Sequence, residues 1–258
     1  MKKLIKDTWN LAFRRIRPTF RRPMTIFMSM AQPIIWLLLF GNLFKGIIQV
    51  PGFFTDSYVE YILPGMIVMN TLFIGIYTGM GTLTDLNYGA LERFLVTPIN
   101  KIVIILSELV QLIVLLLVQF IMIMLLALTM GARFTLNISS IIIFLTIPIL
   151  LGLGVSALSI SLALITRKHE AMITALQFFT LPLMFLSSAF MPRHLMPSWI
   201  RIISTVNPID WAILGAREVL SSQVNWSEVI TNGAMVLLFG VICVLISLQS
   251  FKKFQNSI

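Results

Sequence analysis

The sequence predicts an all-α membrane protein, with six transmembrane helices behind an N-terminal amphipathic interfacial helix. Three observations carry this prediction. Hydrophobic residues make up 58% of the 258 and charged residues only 11%, against about 25% charged in a soluble domain, and the mean hydropathy is +0.95. Cutting the chain at its charges leaves six uncharged runs, each offering the roughly 20 apolar residues that a helix needs to cross the hydrocarbon core. The runs are continuous rather than alternating, which excludes a closed β-barrel, the other structure that satisfies its backbone in lipid.

The chain reads as one domain, 1–258, with no internal repeat. Residues 1–22 form the interfacial helix: Ile5, Trp9, Ala12, Phe13, Ile16 and Phe20 fall within an arc of about 100° at helical spacing, and most basic residues lie elsewhere on the circumference. Such a helix rests in the headgroup layer with its aromatic face down, either as a topological anchor or as a lever on the first span. Pro18 is expected to break it, and Arg21 and Arg22 hold the entry to the membrane at an anionic leaflet.

The spans are expected at 23–44, 61–84, 109–132, 141–166, 171–192 and 229–251. The first carries Pro33 and an aromatic stripe, Trp36, Phe40 and Phe44, that either packs or faces a substrate. The second begins near Pro64–Gly65, and its Gly75 and Gly79 allow close helix contact, as do Gly152/Ser156 and Ala157/Ser161 in the fourth. After the fifth, MPRHLMPSWIRIISTVNPIDWAILGAREVLSS is too broken by prolines to span and too apolar for an open loop. Two short helices dipping into the outer leaflet fit it, with Trp199, Trp211 and Trp226 at the interface. Irregular backbone at that depth must be covered by protein or line a watery cavity, so Pro197, Trp199, Asn207 and Pro208 are candidates for an outer gate or re-entrant element.

Placing the N-terminus inside puts 14 basic residues on the cytoplasmic side and 5 on the outer side. The positive-inside rule therefore sets both termini in the cytoplasm of a multi-pass plasma-membrane protein. The net charge of +9 reflects this asymmetry, and no soluble domain remains to bind nucleic acid.

Enzyme chemistry fails by inventory. His169 and His194 fall on opposite membrane sides, so no metal pair or His-based dyad forms, and no G-x-x-x-x-G-K-[ST] loop exists to bind ATP. The run interiors contain no ionisable residue for ion coupling. Glu60 and Glu108, at run edges, read as interface residues that snorkel, and Cys243 stands alone. The energy must come from outside the chain. The stretch GALERFLVTPINK, between the second and third spans, sets apolar residues among charges, as a short surface helix docking on another protein would.

At GALERFLVTPINKIVIILSELV and AFMPRHLMPSWIRIISTVNPIDWAILGAREVL the chain resembles type 2 ABC exporter permeases, over essentially its whole length and with the same order of parts. The resemblance implies a dimer of permeases, expected as a homodimer in membrane lipid, on two copies of a cytoplasmic ABC ATPase. ATP and Mg would be held by that partner, with no cofactor on this chain. It further implies that Leu91 to Pro98 form a coupling helix, with Phe94 and Leu95 as buried anchors, Glu92 and Arg93 setting register, and Thr97 and Pro98 closing it before the third span. Arg167 and Lys168, in the second inner loop, would make a smaller contact. Spans one, two and five would line the path, making Trp36, Phe40, Phe178, Phe179 and Phe185 candidate substrate contacts.

Within the family, LPLMFLSSAFMPRHLMPSWIR is most similar to drug-efflux permeases of the daunorubicin-resistance kind. Polysaccharide and teichoic-acid export permeases share the architecture. Second to fourth spans rich in Ile, Leu, Val and Met favour hydrophobic or amphipathic cargo. A self-contained ion-coupled carrier or channel, or a non-transporting scaffold, are the readings from other classes.

Overall fold

The structure, a computed structural model, describes residues 2–21, 23–44, 46, 57–88, 101–134, 137–221 and 223–255. Among the described residues the regular structure is helical: α1 (Lys2–Arg21), α2 (Pro23–Leu43), α3 (Tyr58–Asn87), α4 (Lys101–Thr129), α5 (Ile138–Thr166), α6 (His169–Phe185), a 3-10 turn (Arg193–Leu195), α7 (Ser198–Thr205), α8 (Pro208–Val219) and α9 (Trp226–Gln255). Four stretches are long and apolar enough to cross a membrane: Tyr58–Asn87, Leu106–Thr129, Ile138–Thr166 and Trp226–Phe254. Of the two other expected spans, 23–44 holds a shorter apolar helix, Phe27–Leu43, and 171–192 holds α6.

α6 stops at Phe185 rather than running on to 192, and side-chain donors at its end account for it. The Asn207 side-chain amide donates to the Leu183 and Leu186 carbonyls at 2.7 and 3.1 Å, and Ser187 Oγ donates to Met184 O at 2.6 Å. The last-turn carbonyls thus find donors without further helix.

α3 is the axis of the bundle, with 89% of its most apolar stretch buried. It packs on α5 through small residues, as Gly75/Gly79 and Gly152/Ser156 predict. The Gly79 N–H donates to Ser159 Oγ at 3.1 Å, and that hydroxyl donates to Ile76 O at 2.7 Å. α5 then meets α9 on another face, where Gly154 lies against Gly240 and the Ser161 and Ser250 hydroxyls lie 2.5 Å apart. Without hydrophobic driving force in lipid, such close seams are what hold helices together. Across the α3–α4 contact, Asn70 donates to Gln119, a buried amide pair.

The helix ends gather at two poles. At one, Leu83, Leu86, Leu164, Met172, Phe251 and Phe254 form small clusters beside Arg167. At the other, Phe44, Tyr58, Tyr61 and Phe190 meet. At this second pole α4 ends in a Schellman turn: Gly131 adopts φ +90, and the Ala132 N–H reaches Ala127 O at 3.1 Å. The Glu60 carboxylate accepts the Arg133 N–H at 2.8 Å.

Two expectations are corrected at the first pole. Pro18 does not break α1, which runs through it to Arg21; the missing N–H forfeits one bond, to the Arg14 carbonyl, near the helix end. Glu108 does not snorkel either. It is 1% exposed and paired with Arg15 under α1.

A Cβ at Gly79 would lie 2.6 Å from the Ser159 backbone carbonyl, whereas one at Gly75 would meet the Val155 side chain at 3.0 Å and one at Gly233 nothing. Gly79→Ala should therefore lower the melting temperature in detergent most, by an overpacking cost of about 1–3 kcal/mol. Gly75→Ala should cost less and Gly233→Ala nothing measurable, as followed by size-exclusion-detected thermal melts.

Candidate functional site

Each pole of α3 carries an ionic cluster. At the first, α1 lies across the end of α3 and the start of α4. Thr8, Leu11 and Ala12 turn inward, and Arg15, four and three residues beyond the latter two, shares their face. A guanidinium on a buried face needs carboxylates, and two supply them. Arg15 Nη2 donates to Asp85 at 2.9 Å and Arg15 Nη1 pairs with Glu108, while Arg14 holds the other Asp85 oxygen at 2.6 Å. Two cations and two anions leave the cluster neutral. Burial pulls the Arg15 guanidinium below its ordinary value, and Asp85 opposes that shift; an arginine stays charged throughout.

The placement of these carboxylates gives the cluster its meaning. Asp85 lies two residues before the last residue of α3, and Glu108 two turns into α4. The expected coupling residues Leu91, Glu92, Arg93, Phe94, Leu95, Thr97 and Pro98 lie outside the described residues, between those two helices. Both flanks of that segment are thus clamped to α1. Nearby, Arg167 ends α5 in the left-handed conformation at φ 53 with its guanidinium 5.0 Å from the centre of the Phe254 ring, and Lys168 is the N-cap residue of α6.

The second pole grips the turn that follows α6. Asp210, fully buried on α8, accepts from the Ser188 N–H and from Arg193 Nε at 2.6 Å. Arg217, two turns along α8, stacks 3.8 Å over the Tyr61 ring and donates to Ser188 O at 2.8 Å and Tyr61 O at 3.3 Å. From α3, Tyr61 Oη donates to the same Ser188 carbonyl and Tyr58 Oη to Phe190 O, both at 2.9 Å. Asn207 caps α8 by accepting the Ile209 N–H at 3.0 Å while holding the α6 carbonyls, and Pro208 follows at the first helical position, where its missing N–H costs nothing. Asn207 thereby ties the start of α8 to the end of α6. Pro197 and Trp199, at the start of α7, are exposed.

The candidate substrate aromatics divide. Trp36, Phe40 and Phe185 come together around Phe190, with ring centroids 5.0 to 5.8 Å from it. Phe178 and Phe179 pack edge-on to each other at 5.4 Å and are 72% and 65% exposed, outside that cluster.

Sequence reasoning missed Arg14, Arg15, Asp85 and Glu108 as a set, and Asp210 with Arg193 and Arg217. A signal existed for Arg15: it shares a helical face with Leu11 and Ala12, opposite to the solvated stripe. Asp210 follows an N-cap asparagine and a proline, where an acid reads as a helix-dipole residue, so nothing local separates that role from a buried ion pair.

Residues 6–221 match the family described as ABC-2 type transporter. The transport permease ycf38 of Pyropia yezoensis is 31% identical over 241 residues, 93% of this chain and 81% of that one. Its namesake in Cyanophora paradoxa is 31% identical over 264 residues, covering 98% and 90%. The daunorubicin resistance ABC transporter permease protein DrrB1 of Streptomyces coeruleorubidus is 25% identical over 207 residues, covering 80% and 72%.

Asp210→Asn should leave Arg193 without its counter-charge and weaken the grip on Ser188. The expected outcome is a loss of about 1–3 kcal/mol of stability and faster proteolysis between residues 186 and 207, read by limited digestion and mass mapping. Unchanged digestion would show that the pair does not hold the turn.

Proposed function

The chain belongs to the ABC-2 type transporter family, whose members are transmembrane subunits working with a separate ATPase, and we propose that it is the membrane half of an ATP-driven exporter of hydrophobic or amphipathic molecules. On this reading six segments cross the plasma membrane with both termini in the cytoplasm. α2 and α6 are the two shorter crossings, and the pinned turn after α6 sits near the outer face. Two copies of the permease pair with each other, and two ATPase subunits, which bind ATP and Mg, dock on residues 91–98 and on Arg167–Lys168.

The observation that carries this reading is the ionic clamp on the flanks of that segment. A force applied at 91–98 enters α3 at Asp85 and α4 at Glu108, and Arg14 and Arg15 pass it to α1 at once. α3, packed tightly on α5, would then carry the displacement to Tyr58 and Tyr61 and so to the turn at 186–193. The cargo class is supported by the aromatic cluster of half-buried Trp36, Phe40 and Phe190 with exposed Phe185, by the apolar exposed helix faces, and by the relative named for daunorubicin resistance.

Two variants test the reading. A C-terminally tagged wild type should co-purify a Walker-motif ATPase, and Phe94→Asp should lose it while still inserting, because a charge would enter an apolar anchor pocket. Arg15→Gln should keep the ATPase but lower export per ATP hydrolysed about tenfold, since it takes the counter-charge from buried Glu108 and leaves Asp85 to Arg14, at a cost of a few kcal/mol. A Phe94→Asp protein that still binds the ATPase would sink the docking assignment, and normal coupling in Arg15→Gln would sink the role of the clamp.

A further inference from the structure

α1 has three faces. Thr8, Leu11, Ala12 and Arg15 turn to the protein. About 110° round the helix, Ile5, Trp9, Phe13 and Phe20 form an apolar face, each between 46% and 64% exposed. A similar angle further, Lys6, Asn10, Arg14, Arg17 and Arg21 follow one another in an exposed stripe. Where this stripe meets the apolar face, Asn10, Phe13, Arg14, Arg17, Pro18 and Arg21 line an open concavity of about 500 Å³.

The two chemistries in that concavity point to one ligand. Three guanidinium groups on one helix edge match phosphate oxygens, which they bind in a forked, charge-assisted geometry. A phenyl ring and a proline beside them offer nothing to an inorganic anion, but they fit the glycerol and first methylenes of a lipid. A lipid without net charge would satisfy the apolar wall but bring no negative charge to the guanidinium edge. We propose that this concavity binds the head group of an anionic phospholipid in the leaflet on which α1 lies. The inference rests on the reading of α1 as the interfacial helix of a membrane permease.

The site touches the clamp through one side chain. Arg14 is 48% exposed and also holds Asp85 at 2.6 Å, whereas Arg15 is 12% exposed and keeps both carboxylates. A lipid phosphate therefore shares Arg14 with Asp85 and leaves the inner pair closed, so lipid charge reaches the coupling flank without opening it.

The test uses the permease–ATPase complex, delipidated in neutral detergent and titrated with dioleoyl phosphatidylglycerol or phosphatidylcholine, with bound lipid counted by native mass spectrometry. Wild type should retain phosphatidylglycerol about 30–160-fold more tightly than phosphatidylcholine, as two or three basic groups near an anionic head imply. Arg17→Gln/Arg21→Gln should lose most of that preference, and Lys252→Gln/Lys253→Gln, basic residues of α9 outside the concavity, should keep it. Equal retention of phosphatidylglycerol by wild type and Arg17→Gln/Arg21→Gln overturns the site. Displacement of the lipid by millimolar inorganic phosphate overturns the lipid assignment in favour of a free-anion site. The ATPase seen in the same spectra reports on the permease reading separately: its presence upholds that reading whatever the lipids do, and its absence from wild type is that reading's failure.

Discussion

A charge that leaves water has to be met inside the protein, and in so apolar a chain that requirement decides where the structure can be held together. Arg15 is the clearest case. Turned inward with Leu11 and Ala12, it brings Asp85 and Glu108 to the same point, and with them the end of α3 and the start of α4. Removing one partner of such a group leaves an uncompensated charge, which costs far more than an exposed pair contributes. α1 is therefore fixed in register against both helices, and its aromatic and basic faces are fixed with it.

The same requirement governs the opposite pole, where the groups to be met are mostly backbone. The chain turns back after α6 without regular structure, and its carbonyls at Leu183, Leu186, Ser188 and Phe190 are taken by side chains from α3, α8 and the residue before α8. Irregular backbone in an apolar setting survives only with donors of this kind. Between the poles α3 needs no charge. It is held by glycine and hydroxyl seams so close that a methyl group does not fit at Gly79, which makes it stiff against its neighbour α5.

Much of this was legible in the sequence, for physical reasons that differ by element. Long apolar runs become α3, α4, α5 and α9 because lipid and core ask for the same composition. Gly75, Gly79 and Gly152 announce close packing because small residues at a four-residue spacing have few other uses in an apolar helix. The polar ends were less legible. Cutting the chain at its charges treats Asp85 and Glu108 as boundaries, although their partner Arg15 lies some 70 and 90 residues away along the chain on a helix whose Lys6, Arg14, Arg17 and Arg21 are exposed. Pro18 was read as a break because the rule concerns helix interiors, and here only one turn follows it. The end of α6 could not be read from residues 171–192 at all, since Asn207, fifteen residues beyond them, helps to end it.

On the proposed mechanism, the difference between the two poles has a consequence. At the clamp the contacts are between side chains, which can exchange partners as the attached segment moves; Arg14, half in water, holds one oxygen of Asp85 by a single such contact. At the far pole α3 holds main-chain carbonyls through Tyr58 and Tyr61, and Arg217 locks the same Ser188 carbonyl from α8. A shift of α3 cannot be absorbed there by rotamer changes without leaving buried carbonyls unmet. The turn at 186–193 has to follow α3 as a unit, with Asp210 and Asn207 carrying α8 along. An input at the clamp can therefore be graded, while the response at the other end moves as one body.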